Sequence, residues 1–360
     1  MLVACRGSHA VAVVDPAGRR VRALIQDRDP DGRPLLQEPA GMVVDGSRLY
    51  VVSSQNRRLA IVDLVARQVL RYIELPGQEP RSLALTPDGR FLVVADFLAG
   101  NRTEPDLAFH PGVFDPEDPA GAFCRSLLLD NPDTLELIQE SGPRFMDTAD
   151  PDYAAAAECY FYAHAFGATS RIVVEPRRAD HDLVVVDLER ERVAFTSDRL
   201  SDDLGSVNYA VAVSPDGNRV YLASTLARNF LNRKFGLRPL VNRLSVLALD
   251  RASGALSVVA IRDLDEGVLT EDGGGRSQSA IPHALAVDAE RVWLVAAGSD
   301  RLWIADRDGQ PIESLPVKGT PKGLAVTGDT AFVYEAGSRS VSRRSLTRDD
   351  AVSASIGPTP

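Results

Sequence analysis

Pro80-Arg81-Ser82-Leu83-Ala84-Leu85-Thr86-Pro87-Asp88-Gly89-Arg90-Phe91-Leu92-Val93-Val94-Ala95 and Asn208-Tyr209-Ala210-Val211-Ala212-Val213-Ser214-Pro215-Asp216-Gly217-Asn218-Arg219-Val220-Tyr221-Leu222-Ala223 are two copies of one pattern. Each is an alternating apolar stretch, a Pro-Asp-Gly turn and a second apolar stretch. Proline presets φ and glycine accepts positive φ, so each copy predicts two strands joined by a tight turn. Looser copies begin at Pro39, Pro282 and Pro321. A third strand that usually ends in aspartate follows, at Asp63, Asp187, Asp250 and Asp306, and a fourth closes the unit, as in Val69–Ile73. The step is 41 residues from Pro39 to Pro80 and 39 from Pro282 to Pro321. Four short strands every ~40 residues is the arithmetic of a propeller blade. A β-sandwich gives no reason for Pro-Asp-Gly to recur in register with a terminal aspartate. The expectation is an all-β propeller, residues 1–360 forming one domain.

Composition narrows the class. The chain has 360 residues, 44% hydrophobic and 25% charged, with 50 acidic against 40 basic side chains and a net charge of −10. Nucleic acid is not expected as a partner, because phosphate binding needs clustered Lys and Arg. No apolar run reaches the ~18 residues of a membrane span. Cys5, Cys124 and Cys159 are too scattered to read as a disulfide or zinc framework. CxxCH, HExxH, a G-x-S-x-G elbow and a phosphate loop are all absent from the sequence. Cys5-Arg6-Gly7-Ser8-His9 aligns with the repeat turns at Gly298 and Gly337, so it reads as a turn rather than a reactive motif. Trp293 and Trp303 alternate with apolar neighbours and read as packing between blades.

The repeat units resemble the YVTN-type repeats of bacterial propellers, related to the lactonase-like group within the WD40/YVTN repeat-like class. Pro282-His283-Ala284-Leu285-Ala286-Val287, followed by Gly298-Ser299-Asp300-Arg301-Leu302-Trp303-Ile304-Ala305-Asp306, resembles that group's His-bearing strand and Gly-x-Asp loop. Proteins with such repeats include lactonases, surface and periplasmic binding proteins, and propellers joined to dihaem cytochrome c peroxidase modules. The resemblance implies a periplasmic or extracellular protein. A leader is not readable at Met1-Leu2-Val3-Ala4-Cys5, which reads as a strand; either the protein is cytoplasmic or its start lies upstream.

Six units are recognisable, and the first begins at its second strand. Ile356-Gly357-Pro358-Thr359-Pro360 aligns with Val317-Lys318-Gly319-Thr320-Pro321, where a further first strand would start. The expectation is a piece of a longer protein, in a ring of six or seven blades.

Two surpluses interrupt the period. The larger, 97–180, falls between the second and third strands of the third unit. The smaller, 226–242, falls at the same place in the fourth. Loops at these positions and the blade-to-blade loops emerge on one face, so function is expected there. Residues near the start of each first strand, Ala40, Arg81, Tyr209, His283 and Lys322, face that mouth and read either as an anion-binding ring or as solvated loop residues. Arg81, Tyr209, His283 and Lys322, with Asp300 and Arg301 from the lactonase-like blade, form the candidate ligand set. His283 is either a hydrogen-bonded structural residue or a general base or metal ligand. The larger insertion holds thirteen acids between Asn101 and Tyr160 against Arg102, Arg125 and Arg144. It reads as a solvated acidic loop, as oxygen ligands for calcium, or as a docking surface for a basic protein such as a cytochrome. Ser126–Glu140 and Ala154–Phe166 look helical, the second with His164 on its apolar face.

Two functions follow. One is a binding or scaffold propeller holding a protein partner, or presenting a fused redox module, with no cofactor in this chain. The other is a lactonase-like hydrolase with His283 as base and Arg81, Lys322 and Arg301 holding a small anionic substrate.

Overall fold

The computed structural model describes residues 1–100, 103–106, 171–174, 181–200, 204–227, 240–266, 277–345 and 348–355. They form six antiparallel blades of a β-propeller. Blade 1 has three strands, β1 (Leu2–Cys5), β2 (Ala10–Asp15) and β3 (Arg20–Ile25). Blade 2 follows with β4 (Pro39–Asp45), β5 (Arg48–Ser53), β6 (Arg58–Asp63) and β7 (Gln68–Glu74). Blade 3 is β8 (Pro80–Leu85), β9 (Phe91–Asp96), β12 (Leu183–Asp187) and β13 (Arg192–Thr196). A separate ladder, β10 (Thr103–Asp106) with β11 (Arg171–Val174), lies between its second and third strands in the chain. Blade 4 is β14 (Val207–Val213), β15 (Arg219–Ala227), β16 (Leu240–Leu249) and β17 (Leu256–Asp263). Blade 5 is β18 (Pro282–Val287), β19 (Arg291–Ala296), β20 (Arg301–Asp306) and β21 (Pro311–Pro316). Blade 6 is β22 (Pro321–Thr327), β23 (Thr330–Glu335), β24 (Ser340–Ser345) and β25 (Arg348–Ser355).

The first strands β4, β8, β14, β18 and β22 pack each on the next, which makes them the inner strands. β1 packs on β4 as β5 packs on β8. It therefore takes the second position of its blade, and among the described residues no strand takes the inner position.

Each blade buries both faces of its middle strands against its neighbours. That is why β9, read Phe-Leu-Val-Val-Ala-Asp, is buried along its whole length. One apolar cluster lies between each pair of blades that follow one another in the chain. Phe91, Val93, Leu183 and Val185 meet Val220, Leu222 and Leu247 between blades 3 and 4. Trp303 joins the cluster between blades 4 and 5, and Trp293 the one between blades 5 and 6. Outer strands such as β3 and β7 are largely exposed and carry the arginines and glutamates.

The turns explain the recurrent polar residues. Thr86 Oγ1 bonds Asp88 Oδ1 at 2.6 Å and accepts the Phe91 N–H at 2.9 Å, fixing the Pro-Asp-Gly hairpin. Ser214 and Asp216 repeat the arrangement. Where a third strand ends in aspartate, that residue accepts main-chain N–H groups of the following turn: Asp63 from Val65 and Ala66, Asp187 from Arg190, Asp250 from Ala252, Asp306 from Asp308 and Gln310. At Arg6–Ser8 the chain makes a short 3-10 turn and His9 takes a left-handed conformation, as Asp300 and Arg339 do at the corresponding places.

Within the described residues of the smaller surplus, Leu226 and Ala227 pair with Val241 and Leu240 and lengthen the blade 4 ladder. The acidic clusters of 97–180 and the helices expected at Ser126–Glu140 and Ala154–Phe166 lie outside the described residues.

Candidate functional site

The inner strands carry an irregularity that aims side chains. Pro80 pairs with Asp96 and Ser82 with Ala95, so Arg81 is an extra residue with no partner of its own. The same skip leaves out Tyr209 between Asn208 and Ala210, His283 between Pro282 and Ala284, and Lys322 between Pro321 and Gly323. In blade 2 the skip is Ala40–Gly41. A bulge bends its strand and re-aims the side chain it carries. The residues expected near the starts of the first strands are thus the bulge residues of those strands.

A second constraint sets each bulge. The residue just before the opening proline is left-handed in four blades: Glu38, Glu79, Ile281 and Thr320, with φ of 45°, 49°, 56° and 56°. Its carbonyl accepts an N–H from just beyond the second strand, given by Ser54, Phe97, Ala297 and Ala336 in turn. Positive φ is costly for β-branched Ile281 and Thr320. The hydrogen bond and the following proline hold them there.

Four of the five bulge residues join in one arc. The Arg81 guanidinium lies 3.6 Å from the centroid of the Phe97 ring and is ion-paired with Glu79. Phe97 meets Tyr209 edge-on, with centroids 5.8 Å apart. Tyr209 and His283 follow at 6.4 Å, and His283 Nδ1 is 3.2 Å from the Lys322 carbonyl oxygen. A carbonyl only accepts, so Nδ1 carries the proton and Nε2 presents its lone pair. Burial, then the Lys322 charge, push the His283 pKa down, while the hydrogen bond to the Lys322 carbonyl opposes them; the net direction is down, which favours the neutral ring. Lys322 itself is exposed. The arc can hold an anion at its Lys322 end and an aromatic or apolar group along its middle, while the Arg81 charge at the other end is met by Glu79.

Phe97 is the member that sequence reasoning missed. It opens the larger surplus and looks like its first loop residue. The available signal was its position directly after a second strand, beside the bulge of the same blade. The neck of that surplus is also tied down here: Leu98 bridges Val207, and Gly100 donates to the Ser206 carbonyl at 3.3 Å.

Asp300 and Arg301 do not join the arc. Asp300 accepts the Thr320 N–H at 2.8 Å and so links the blade 5 loop to the entry of blade 6. Arg301 points along its sheet and donates to Ser314 Oγ at 3.0 Å and Gln278 Oε1 at 2.9 Å. These bonds tie the blade 5 loop to blade 6 and Arg301 to its neighbouring strand and loop.

Beneath the arc lies a polar node. Asp182 accepts the N–H groups of Leu204 (3.3 Å) and Gly205 (3.1 Å) and an Asn208 Nδ2 hydrogen at 3.0 Å. Asn208 Nδ2 also reaches the Asp96 carbonyl at 3.0 Å. The Asp96 carboxyl is fully buried and both its oxygens lack a hydrogen-bond partner. Burial, then the Asp182 charge, raise its pKa well above the usual carboxylate value. Among the described residues no three His, Cys, Asp or Glu side chains gather as a metal-binding group, and no helix is long and apolar enough to cross a membrane.

The fold defines the class as a β-propeller. Comparisons with solved structures give the following likenesses. A protein of unknown function from Desulfotomaculum acetoxidans superposes with a TM-score of 0.54 at 10% identity, over 99% of this chain and 78% of that one. Kuenenia stuttgartiensis hydrazine synthase gives 0.46 at 14% identity, covering 97% and 92%. A chain of a nidogen/laminin complex gives 0.45 at 10% identity, covering 96% and 89%. No protein-family model and no curated protein matches the sequence.

Proposed function

We propose that this propeller is a binding and scaffold module whose arc face receives an anionic, aromatic-bearing segment of a protein partner. The observation that carries the reading is the shared bulge: successive inner strands break register at the same place and bring Arg81, Tyr209, His283 and Lys322 into one line with Phe97. A purely structural bulge needs no particular side chain, and blade 2 manages with Ala40. Lys322 at one end supplies charge recognition, and Arg81 at the other does so in exchange for its pairing with Glu79. The rings between them supply rigid contact area at low entropic cost.

A fluorescein-labelled hexapeptide of alternating Glu and Tyr is the probe. Fluorescence anisotropy is expected to show saturable binding that weakens about tenfold in the Arg81→Ala, Lys322→Ala double variant. It should weaken further as salt is raised, since exposed charge recognition is screened. Equal affinity for the parent and the double variant sinks the reading. A hydrolase is the second reading, favoured by one feature: His283 Nδ1 is committed to the Lys322 carbonyl, so Nε2 is the nitrogen that offers a lone pair. Turnover of a sugar δ-lactone that disappears in His283→Ala would put it first.

A further inference from the structure

The turn Arg6–Ser8 ends in His9, whose ring reaches across to the next blade. The Glu38 N–H donates to His9 Nδ1 at 3.1 Å, and Glu38 is the residue before the opening proline of β4. A main-chain N–H only donates, so Nδ1 is the acceptor and the neutral ring carries its proton on Nε2, the reverse of His283. The Glu38 carbonyl accepts from Ser54 N–H at 3.3 Å. Glu38 is thus held from both sides in its left-handed conformation, φ 45°, and His9 is left-handed too, φ 53°.

Blade 5 makes the same connection with a different side chain. Asp300 ends the corresponding turn with φ of 52°, and its Oδ1 accepts the N–H of Thr320, the left-handed residue before the opening proline of β22, at 2.8 Å. In both places the corner of one blade fixes the residue from which the next inner strand starts. The left-handed corners Arg57 and Arg339 carry guanidinium groups, which have no acceptor. The two acceptors respond differently to protons. A carboxyl keeps acceptor capacity in either protonation state, whereas imidazolium has an N–H on both nitrogens and accepts nothing. Histidine is also the side chain that ordinarily changes charge between about pH 5 and 8.

We propose that His9 is a pH-sensitive latch between blades 1 and 2: neutral, it holds the entry of β4 through the Glu38 N–H, and protonated, it lets that entry go. The charged groups around it are Arg6 of the same turn, which is ion-paired with Glu38, the Glu38 carboxylate itself, and Arg81 of blade 3, whose charge also acts on that carboxylate. The Arg6 hydrogen bond, opposed by burial, holds the Glu38 carboxyl below its usual value, so it stays ionised while His9 gains its proton. The imidazolium can then turn an N–H to this carboxylate in competition with Arg6, and offers nothing to the main-chain N–H. The released segment leads directly into the blade 2 bulge, Ala40–Gly41, where a Cβ on Gly41 would lie 2.6 Å from the Arg81 carbonyl oxygen. The latch therefore bears on the Arg81 end of the arc, and it needs no ligand there.

Amide hydrogen exchange of the 360-residue protein, read by NMR and divided by each amide's intrinsic rate, tests the latch without any variant. From about pH 8 to about pH 5 the protection of the Glu38 N–H should fall about fivefold, the loss of one net hydrogen bond. The Thr320 N–H, bonded to Asp300, is the internal reference and should change less than about twofold. His9→Asn keeps an acceptor oxygen, and asparagine tolerates a left-handed φ. It should preserve the Glu38 protection at both pH values. His9→Ala should show the low protection at both, with unfolding still cooperative. Equal protection of Glu38 across the pH range, or a fall that persists in His9→Asn, overturns the proposal. So does a parallel fall at Thr320, which would mean general loosening, or full Glu38 protection in His9→Ala.

Discussion

Asp96 and Glu335 hold the same place in blades 3 and 6, opposite the proline that opens the inner strand. Both are buried acids, yet their surroundings differ completely. Glu335 accepts from Ser342 Oγ (2.7 Å), Ser340 Oγ (3.1 Å), Ser338 Oγ (3.2 Å) and the Lys318 N–H (3.3 Å). Burial opposes its ionisation, but these donors together hold its carboxyl below the usual value. Asp96 has no donor, and its ladder neighbour is Asp182 rather than a serine. Its raised pKa makes it a liability at neutral pH. Below the unfolded value of about 4 both states are protonated and nothing is lost. As pH rises from there through the folded pKa, the unfolded chain gives up its proton first and stability falls. Asp96→Asn should therefore raise the unfolding midpoint at pH 7–8, by the equivalent of about 1 kcal/mol or more. The gain should shrink toward pH 4. A gain that is equal at both pH values would show that Asp96 titrates normally.

At the scale of the elements, the Pro-Asp-Gly hairpins are chosen by backbone conformation. Gly89 has φ of +72° and lies beside Asp45 of the neighbouring blade, while Gly7 has ordinary φ and open space around it. Gly89→Ala is expected to destabilise by roughly 1 kcal/mol, and Gly7→Ala to leave stability within about 0.5 kcal/mol. Denaturant unfolding of the two variants checks the contrast; similar losses would mean that φ is not what the turn requires. The same logic runs through the third-strand aspartates. Each caps the turn after it, which is why the residue recurs where no chemistry calls for a carboxylate.

Across the whole molecule, no blade has a core of its own. Apolar side chains are shared at the boundaries, so neighbouring blades stand or fall together. Phe91 is fully buried between blades 3 and 4, where a Cβ on Gly254 would lie 2.8 Å from its ring. Phe91→Ala should cost about 3–5 kcal/mol. Calorimetry should show one transition at lower temperature rather than a new, separate one. Two resolved transitions would mean that blades 1–3 and 4–6 unfold independently.

How much of this was legible in the sequence follows from range. The blade period, the hairpin turns and the aspartate caps are local: they depend on φ preferences and side-chain bonds within four or five residues, and the repeat displays them in register. The positions Arg81, Tyr209, His283 and Lys322 could be found the same way, by aligning copies. What the alignment could not show is that they are bulges, since register slips belong to pairs of strands and not to one. Nor could it separate Asp300 and Arg301 from the arc, add Phe97 to it, or tell a solvated Asp96 from a buried one without a donor. Those depend on which side chains the ring brings together across blades, up to more than a hundred residues apart, as Asn208 meets Asp96. Contacts of that range are decided by packing and burial, which only the assembled propeller defines.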